Sequence, residues 1–270
     1  KDYSRELKIY LRFYSLLKPK AIFFVNTDNH KGRILAAKSL GIPIIEIQHG
    51  DIGFQSCPYY FDLKFDKTTL ISPDGILVQS DFWKKSIRYN GFIENIGNTY
   101  YFRKQKTTNY KYDLTVFTNA FNMDSFRKIL NQLIIKNYSG KICLKLHPDQ
   151  YLDYVNVKKI FEQFSNIEVI FREVDGIKLL EESRQVLLIH STIAYQAVNM
   201  GIKTLILVEP KKEYQLYGEL LKEKALFLIK NTDELLEQLN KNELEQFEMN
   251  NIYEPFHFDN YKKIMEKYLG

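Results

Sequence analysis

The stretch "VLLIHSTIAYQAVNMGIKTLILVE", residues 186–209, decides the fold. It opens on an aliphatic run that His190 stops. Ser191 and Thr192 then offer side-chain oxygens suited to the free N–H groups of a helix start. Gly201 offers a stop, because a residue without Cβ takes the left-handed turn that ends helices. "IKTLILVE" (202–209) is a second aliphatic run. Strand, helix and strand follow one another with no room for a hairpin. Both strands are nearly continuous aliphatic runs rather than alternating, so each must be covered on both faces. That is the pattern of a parallel sheet sandwiched by helices.

The same alternation runs outward from this unit. Upstream, "DLTVFTN" (113–119), "KICLKLH" (141–147) and "IEVIFRE" (167–173) read as strands. Helical patterns at 123–140, in the stretch up to Asn166, and at 176–185 separate them. Downstream come a further helix, a strand "ALFLIK" (225–230) and a helix from "TDELLEQL" (232–239). A first series precedes these. It comprises "AIFFVN" (21–26), a helix over 28–41, "PIIEIQ" (43–48), "GILVQS" (75–80), a helix over 81–91 with Asp81 as N-cap, and "FIENIG" (92–97). The polar stretch 100–112 suits a linker. The expected fold is therefore α/β, with two Rossmann-like domains over residues 1–105 and 106–255. A terminal amphipathic helix, 256–270, crosses back to the first domain by analogy with such folds. Four strands are few for the first series, the pattern expected of a domain whose earliest strands precede residue 1.

Composition agrees with a packed enzyme-sized chain. The 270 residues are 45% hydrophobic and 26% charged, enough for a core and too apolar for disorder. Cys57 and Cys143 stand alone without metal-like spacing, which reads as reduced thiols in a cytoplasmic protein. No apolar run reaches the roughly 20 residues needed to span a bilayer, and residues 1–10 carry no secretory signal pattern. The net charge of +5 is mild, and lysines are spread rather than clustered. This argues against a nucleic-acid partner and suits an anionic substrate or membrane surface. "ELKIYLRFYSLLKPK" (6–20) is basic and amphipathic, a candidate for peripheral contact at the inner face of the membrane. Packing its apolar face on its own sheet is the favoured alternative.

In open parallel sheets ligands bind at the carboxyl ends of the strands, so the residues ending each strand are the candidates. In the second series they are Asn119, His147-Pro148, His190-Ser191-Thr192 and Glu209. In the first they include His49-Gly50-Asp51. Three of the five histidines fall at strand ends. Lys145 and His147 share one face of a strand by its period of two, and two cations there suit a phosphate or diphosphate. Ser191 and Thr192 either cap their helix or hold an anion at its N-terminus. His49 can exchange protons near neutrality, and Asp51 beside it can orient it or act as the base. Gly50 between them permits a sharp turn. The aromatic loop 54–65 reads equally as a sugar-stacking platform and as an ordinary lid. No Gly-rich dinucleotide or P-loop sequence, no GxSxG elbow, no zinc signature and no DxD at a strand end is present.

These elements together resemble a known group. "GIPIIEIQHGDIG" (41–53), "PDGILVQSDFWK" (73–84), "IGN" (96–98), "KLHPDQY" (145–151) and "HSTIAYQAVNMGIKTLIL" (190–207) resemble bacterial capsule- and lipopolysaccharide-type glycosyltransferases of the GT-B fold. The group shares a Lys-x-His-Pro element and a Ser/Thr pair, and includes sialyl-, polysialyl- and Kdo transferases and teichoic-acid glycerophosphotransferases. The resemblance runs from about Asn26 to Val208. It implies two domains facing across a cleft and a metal-independent transfer from a nucleotide-sugar co-substrate. The acceptor is a glycan or lipid-linked glycan hydroxyl. Lys145, His147, Pro148, Ser191, Thr192, Asn119 and Glu209 would hold the donor. His49, matching the histidine of an HG element in the teichoic-acid enzymes, or Asp51 would be the base. The acidic motif that supplies the base in sialyltransferases is missing at that point, with "SPDGI" (72–76) a partial echo. The Lys-x-His-Pro element leans toward a CMP-linked donor. Two alternatives stand beside this reading, a nucleotide-sugar 2-epimerase on the same fold and a non-catalytic glycan- or nucleotide-binding relic.

Overall fold

The computed structural model describes residues 3–27, 30–52, 71–89, 91–99, 109–150, 152–208, 217–241 and 252–269. They form two compact units, one of residues 1–101 with 251–270 and one of residues 102–250. Each is a parallel sheet with helices. Glu209, Cys57, the aromatic loop 54–65 and most of the linker 100–112 lie outside the described residues.

In the first unit, β1 (Ile22–Phe24), β2 (Ile44–Ile47), β3 (Gly75–Val78) and β4 (Phe92–Asn95) lie side by side in that order, all parallel. Neighbouring residues of a strand point to opposite faces, and β2 shows the consequence. Ile44 joins Tyr14, Ile34, Ala36 and Ala37 beneath helices α1 (Ser4–Leu17) and α2 (Lys31–Ser39). Ile45 joins Leu77, Ile96 and Ile264 of the terminal helix, Phe258–Leu269. The C-terminal segment is thus one cover of the first sheet.

It is also stitched there by hydrogen bonds. Ser80 Oγ donates to the Ile252 carbonyl (2.7 Å), Glu254 N to Gln79 O (3.1 Å), and His257 N to Ile96 O (2.8 Å). Gly97 is needed at the crossing: its φ is +69°, and a Cβ there would sit 1.9 Å from the Pro255 carbonyl oxygen. The Glu254 carboxylate accepts from Asp81 N (2.9 Å) and Asn95 Nδ2 (2.8 Å) and lies 3.0 Å from His257 Nε2. Burial opposes its ionisation, but these donors outweigh burial and hold its carboxyl below the ordinary glutamate range.

Helix α3 is shorter than the sequence suggests, Asp81–Ser86, and Ser80 rather than Asp81 holds the N-cap position. Asp81 is spent otherwise, its Oδ1 accepting from Asn95 Nδ2 at 3.3 Å. Beyond it Ile87 turns extended. Tyr89 is buried and bonds the Pro73 carbonyl (2.9 Å), so tertiary contacts end the helix early.

The second unit holds β5 (Leu114–Phe117), β6 (Ile142–Lys145), β7 (Ile167–Ile170), β8 (Gln185–Leu188), β9 (Lys203–Leu207) and β10 (Phe227–Ile229). All pairs are parallel, in the order β10-β9-β8-β5-β6-β7. The central strands β5, β8 and β9 are buried along their whole length, which is why apolar residues dominate them. Helices α4 (Met123–Ile135), α5 (Tyr154–Phe161) and α9 (Thr232–Asn240) contribute Phe126, Leu130, Phe161 and Leu235 to the main core. From β5 the chain winds outward through β6 and β7, then returns to β5's other side with β8. This reversal leaves a crevice between the carboxyl ends of β5 and β8.

Candidate functional site

A cavity of about 490 Å³ opens at that reversal. Phe117 and Thr118 reach it from the end of β5, Lys145, His147 and Pro148 from β6, and Ser191 and Thr192 from the turn after β8. Five of the nine sequence candidates therefore line one cavity, contributed from the ends of β6 and β8.

His147 is positioned from below. Gln150, fully buried, accepts at Oε1 from His147 N (2.9 Å) and from Thr118 Oγ1 (2.6 Å), tying the β6 turn to the end of β5. The turn itself is a 3₁₀ segment, Pro148–Gln150. His147 Nδ1 accepts from Asp149 N at 3.2 Å. In the neutral ring that bond puts the proton on Nε2, leaving it as a donor. The imidazole is about half exposed.

Lys145 is held more tightly than a surface lysine. Its ammonium donates to the Phe171 carbonyl. Burial pulls its pKa below the ordinary lysine range, with the charge of Glu173 acting in the opposite direction. The first N–H groups of the Ser191 turn are also committed. Ser191 N donates to Tyr217 Oη (2.6 Å), and Ile193 N to Ser191 Oγ (3.3 Å). Ser191 is thus a cap, while Thr192 is intermediate to exposed at the cavity rim and makes no side-chain cap bond. Helix α7 itself runs Ile193–Asn199.

Asn119 serves another purpose than the expected one. Its Oδ1 accepts from Phe121 N and Asn122 N (3.1 Å each), capping a 3₁₀ turn, and Nδ2 reaches the His190 carbonyl at 3.4 Å. It joins the ends of β5 and β8 and is not among the cavity's lining residues. Among the lining residues that the sequence analysis did not single out are Arg172, Gln196 and Asp175. Arg172 was missed because β7 was read to residue 173, whereas the strand ends at Ile170 and leaves Phe171-Arg172 at its carboxyl end. The Arg172 guanidinium lies 5.0 Å from the Phe171 ring centre. Gln196 follows Thr192 by one helical turn, a spacing of four that could have identified it. Asp175 also lines the cavity, but its carboxylate caps the helix Gly176–Glu181 by accepting from Ile177 N at 2.9 Å.

In the first unit, β2 delivers His49 and Asp51 as expected, and Gln48 holds them. Buried Gln48 donates to Gly50 O (2.8 Å) and accepts from Gln79 N (2.9 Å). Gly50 does not need a left-handed backbone; among the described glycines only 41, 97 and 201 adopt one. His49 is exposed. Asp51 lies near Tyr253, whose hydroxyl pKa is raised first by burial and then by that carboxylate. Two positions after Ile44, Glu46 is buried within β2 and accepts from Thr27 N (3.2 Å) and Thr27 Oγ1 (2.6 Å) at the end of β1. A charge inside an aliphatic run was its signal in the sequence. Among the described residues no group of three His, Cys, Asp or Glu side chains could hold a metal, and no helix is long and apolar enough to cross a membrane.

No protein-family model and no curated protein matches the chain. Solved structures do. A co-structure of S. aureus MnaA with UDP is similar at TM-score 0.66 and 16% identity, covering 100% of this chain and 79% of that one. A putative UDP-N-acetylglucosamine 2-epimerase from Listeria monocytogenes follows at 0.65 and 16%, covering 98% and 77%. Acinetobacter baumannii MurG is similar at 0.60 and 11%, covering 98% and 78%. At such identities the likeness concerns the fold, and it identifies the two parallel-sheet domains as GT-B-like.

Proposed function

We propose that the chain is an enzyme of nucleotide-sugar chemistry whose second domain grips the nucleotide's phosphates at the reversal between β5 and β8. The observation that carries this is the shared cavity: an imidazole N–H, the Arg172 guanidinium and the Thr192 hydroxyl meet at the carboxyl end of a parallel sheet. Such groups stabilise the charge that develops on a departing diphosphate. Lys145, tied to Phe171 O, shapes the cavity wall and adds positive potential to it. The similar structures solved with UDP or UDP-GlcNAc support a uridine nucleotide ahead of the cytidine one that the Lys-x-His-Pro element suggests.

Two reactions begin with that departure. In glycosyl transfer an acceptor hydroxyl attacks the anomeric carbon while a base takes its proton. In 2-epimerisation loss of the C2 proton and of the nucleotide from C1 leaves a C1–C2 double bond, to which the nucleotide adds back at C1 and a proton at the other face of C2. Several of the similar structures are UDP-GlcNAc 2-epimerases, and this supports epimerase-like chemistry better than transfer. The Lys-x-His-Pro and Ser/Thr elements are what favours transfer to a surface-glycan acceptor. His49 or Asp51 would be the base in either case.

Calorimetry with UDP, CMP, CDP and GDP tests the site first. His147→Ala removes a charge-assisted donor, so binding should weaken about 10- to 100-fold. Unchanged affinity in that variant, or no binding by any nucleotide, overturns the assignment. Proton NMR of UDP-GlcNAc incubated in deuterated water separates the reactions. Deuterium at C2 marks epimerisation, turnover only with an added acceptor marks transfer, and binding without turnover marks a relic.

A further inference from the structure

Helix α1 is apolar on two sides. Leu7, Tyr10, Leu11 and Tyr14 face α2 and the first sheet. That contact satisfies the expectation of a helix packed on its own domain. Yet Ile9, Phe13, Leu16 and Leu17 remain 55%, 48%, 74% and 61% exposed. At 100° per residue Ile9, Phe13 and Leu16 form one ridge along the outer face, about 10 Å long at 1.5 Å per residue. Arg5, Lys8 and Arg12, all exposed, form a parallel ridge beside it. The helix has a single acid, Glu6, and it is turned inward. Its carboxylate accepts from Gly32 N (3.2 Å) and Arg33 Nε (2.8 Å) at the start of α2. The outer face is therefore large apolar side chains and cations, with no negative charge from the helix.

We propose that this face docks on an anionic lipid surface, with the helix lying in the membrane plane. Phe13 and Leu16 would enter the boundary between headgroups and acyl chains, and Arg5, Lys8 and Arg12 would meet the phosphates. Charge decides between occupants. A second copy of the chain would bring the same cations face to face across a two-fold axis, whereas an anionic bilayer complements them. Contiguous exposed apolar side chains rimmed by charge are a recognised mark of an interaction surface. The cavity of the second unit is not involved, so this inference and the nucleotide-sugar reading stand or fall separately.

The test is co-sedimentation of the full chain with vesicles of phosphatidylglycerol and phosphatidylcholine, against pure phosphatidylcholine. Binding is expected only to the anionic vesicles, and to fall as salt rises. Phe13→Ser with Leu16→Ser, and separately Arg5→Gln, Lys8→Gln and Arg12→Gln together, should each weaken it by at least about tenfold. All five positions are exposed, so unchanged circular dichroism is expected to confirm folding. Vesicle binding that survives both variants overturns the proposal, as does its absence at low salt. Should sedimentation velocity show an oligomer that the Phe13/Leu16 variant dissolves, with no vesicle binding, the face is an interface between copies and the proposal falls.

Discussion

Gln150 shows how much one side chain can organise. It sits at zero exposure, and its Oε1 holds both the Thr118 hydroxyl and the His147 backbone N–H. Gln150→Leu fills similar volume but leaves His147 N without its acceptor and Thr118 Oγ1 with only the longer bond to Lys145 O (3.3 Å), at about 1–3 kcal/mol. Denaturant unfolding should show that loss, and nucleotide affinity should fall with it, because His147 is freed from the end of β5. Gly97 is the other decisive residue. Gly97→Ala meets the Pro255 carbonyl and a left-handed φ together. Overpacking of this kind costs typically 1–3 kcal/mol, to which the backbone strain adds. A drop in melting temperature, with amides of the terminal helix Phe258–Leu269 exchanging faster, is the expected result.

At the scale of elements, the joints between helices and strands carry the polar work. Helix α1 has no side-chain N-cap bond, so its anchorage rests on its inner apolar face and on Glu6. Glu6→Ala removes the acceptor for Gly32 N and Arg33 Nε. A loss of about 1–2 kcal/mol is expected from two partly buried hydrogen bonds, one charge-assisted, with deuterium uptake rising in α1 and the first turn of α2. The turn after β8 illustrates the reverse case, where a local pattern has two uses. Ser and Thr before a helix read equally as caps and as ligands. Only the positions of Tyr217 and Ile193 assign Ser191 to capping and leave Thr192 at the cavity rim.

Across the whole molecule, the C-terminal segment closes the first unit through a charge that senses pH. Glu254 titrates lower in the folded chain than in the unfolded one, because Asp81 N–H, Asn95 and His257 donate to its carboxylate. Around the ordinary glutamate pKa of about 4.3 the unfolded state then binds more protons. The stabilisation is complete above that pH and is lost as pH falls through the folded value. Melting temperatures measured from neutrality down to acid should therefore fall more steeply for the native protein than for Glu254→Gln, whose curve starts lower.

The sequence by itself determined the fold class. Aliphatic runs such as 186–189 and 205–208 demand cover on both faces, and helical segments between them leave only parallel pairing. It also located Lys145, His147, Pro148, Ser191 and Thr192, since strand ends are legible wherever an apolar run stops. Arg172 was missed because a strand boundary slipped by three residues. Asn119 was assigned to the donor although its side chain is consumed by a turn. Gln150 carries no local signal of its role, and Glu46 signals only a charge within an apolar run; the partners of both exist only once β1, β5 and β6 lie beside their neighbours. The order β10-β9-β8-β5-β6-β7, the crevice it opens, and the capture of residues 252–269 by the first sheet belong to tertiary structure alone. Local periodicity records which face of an element is buried, whereas the partner that buries it is chosen by packing across the chain.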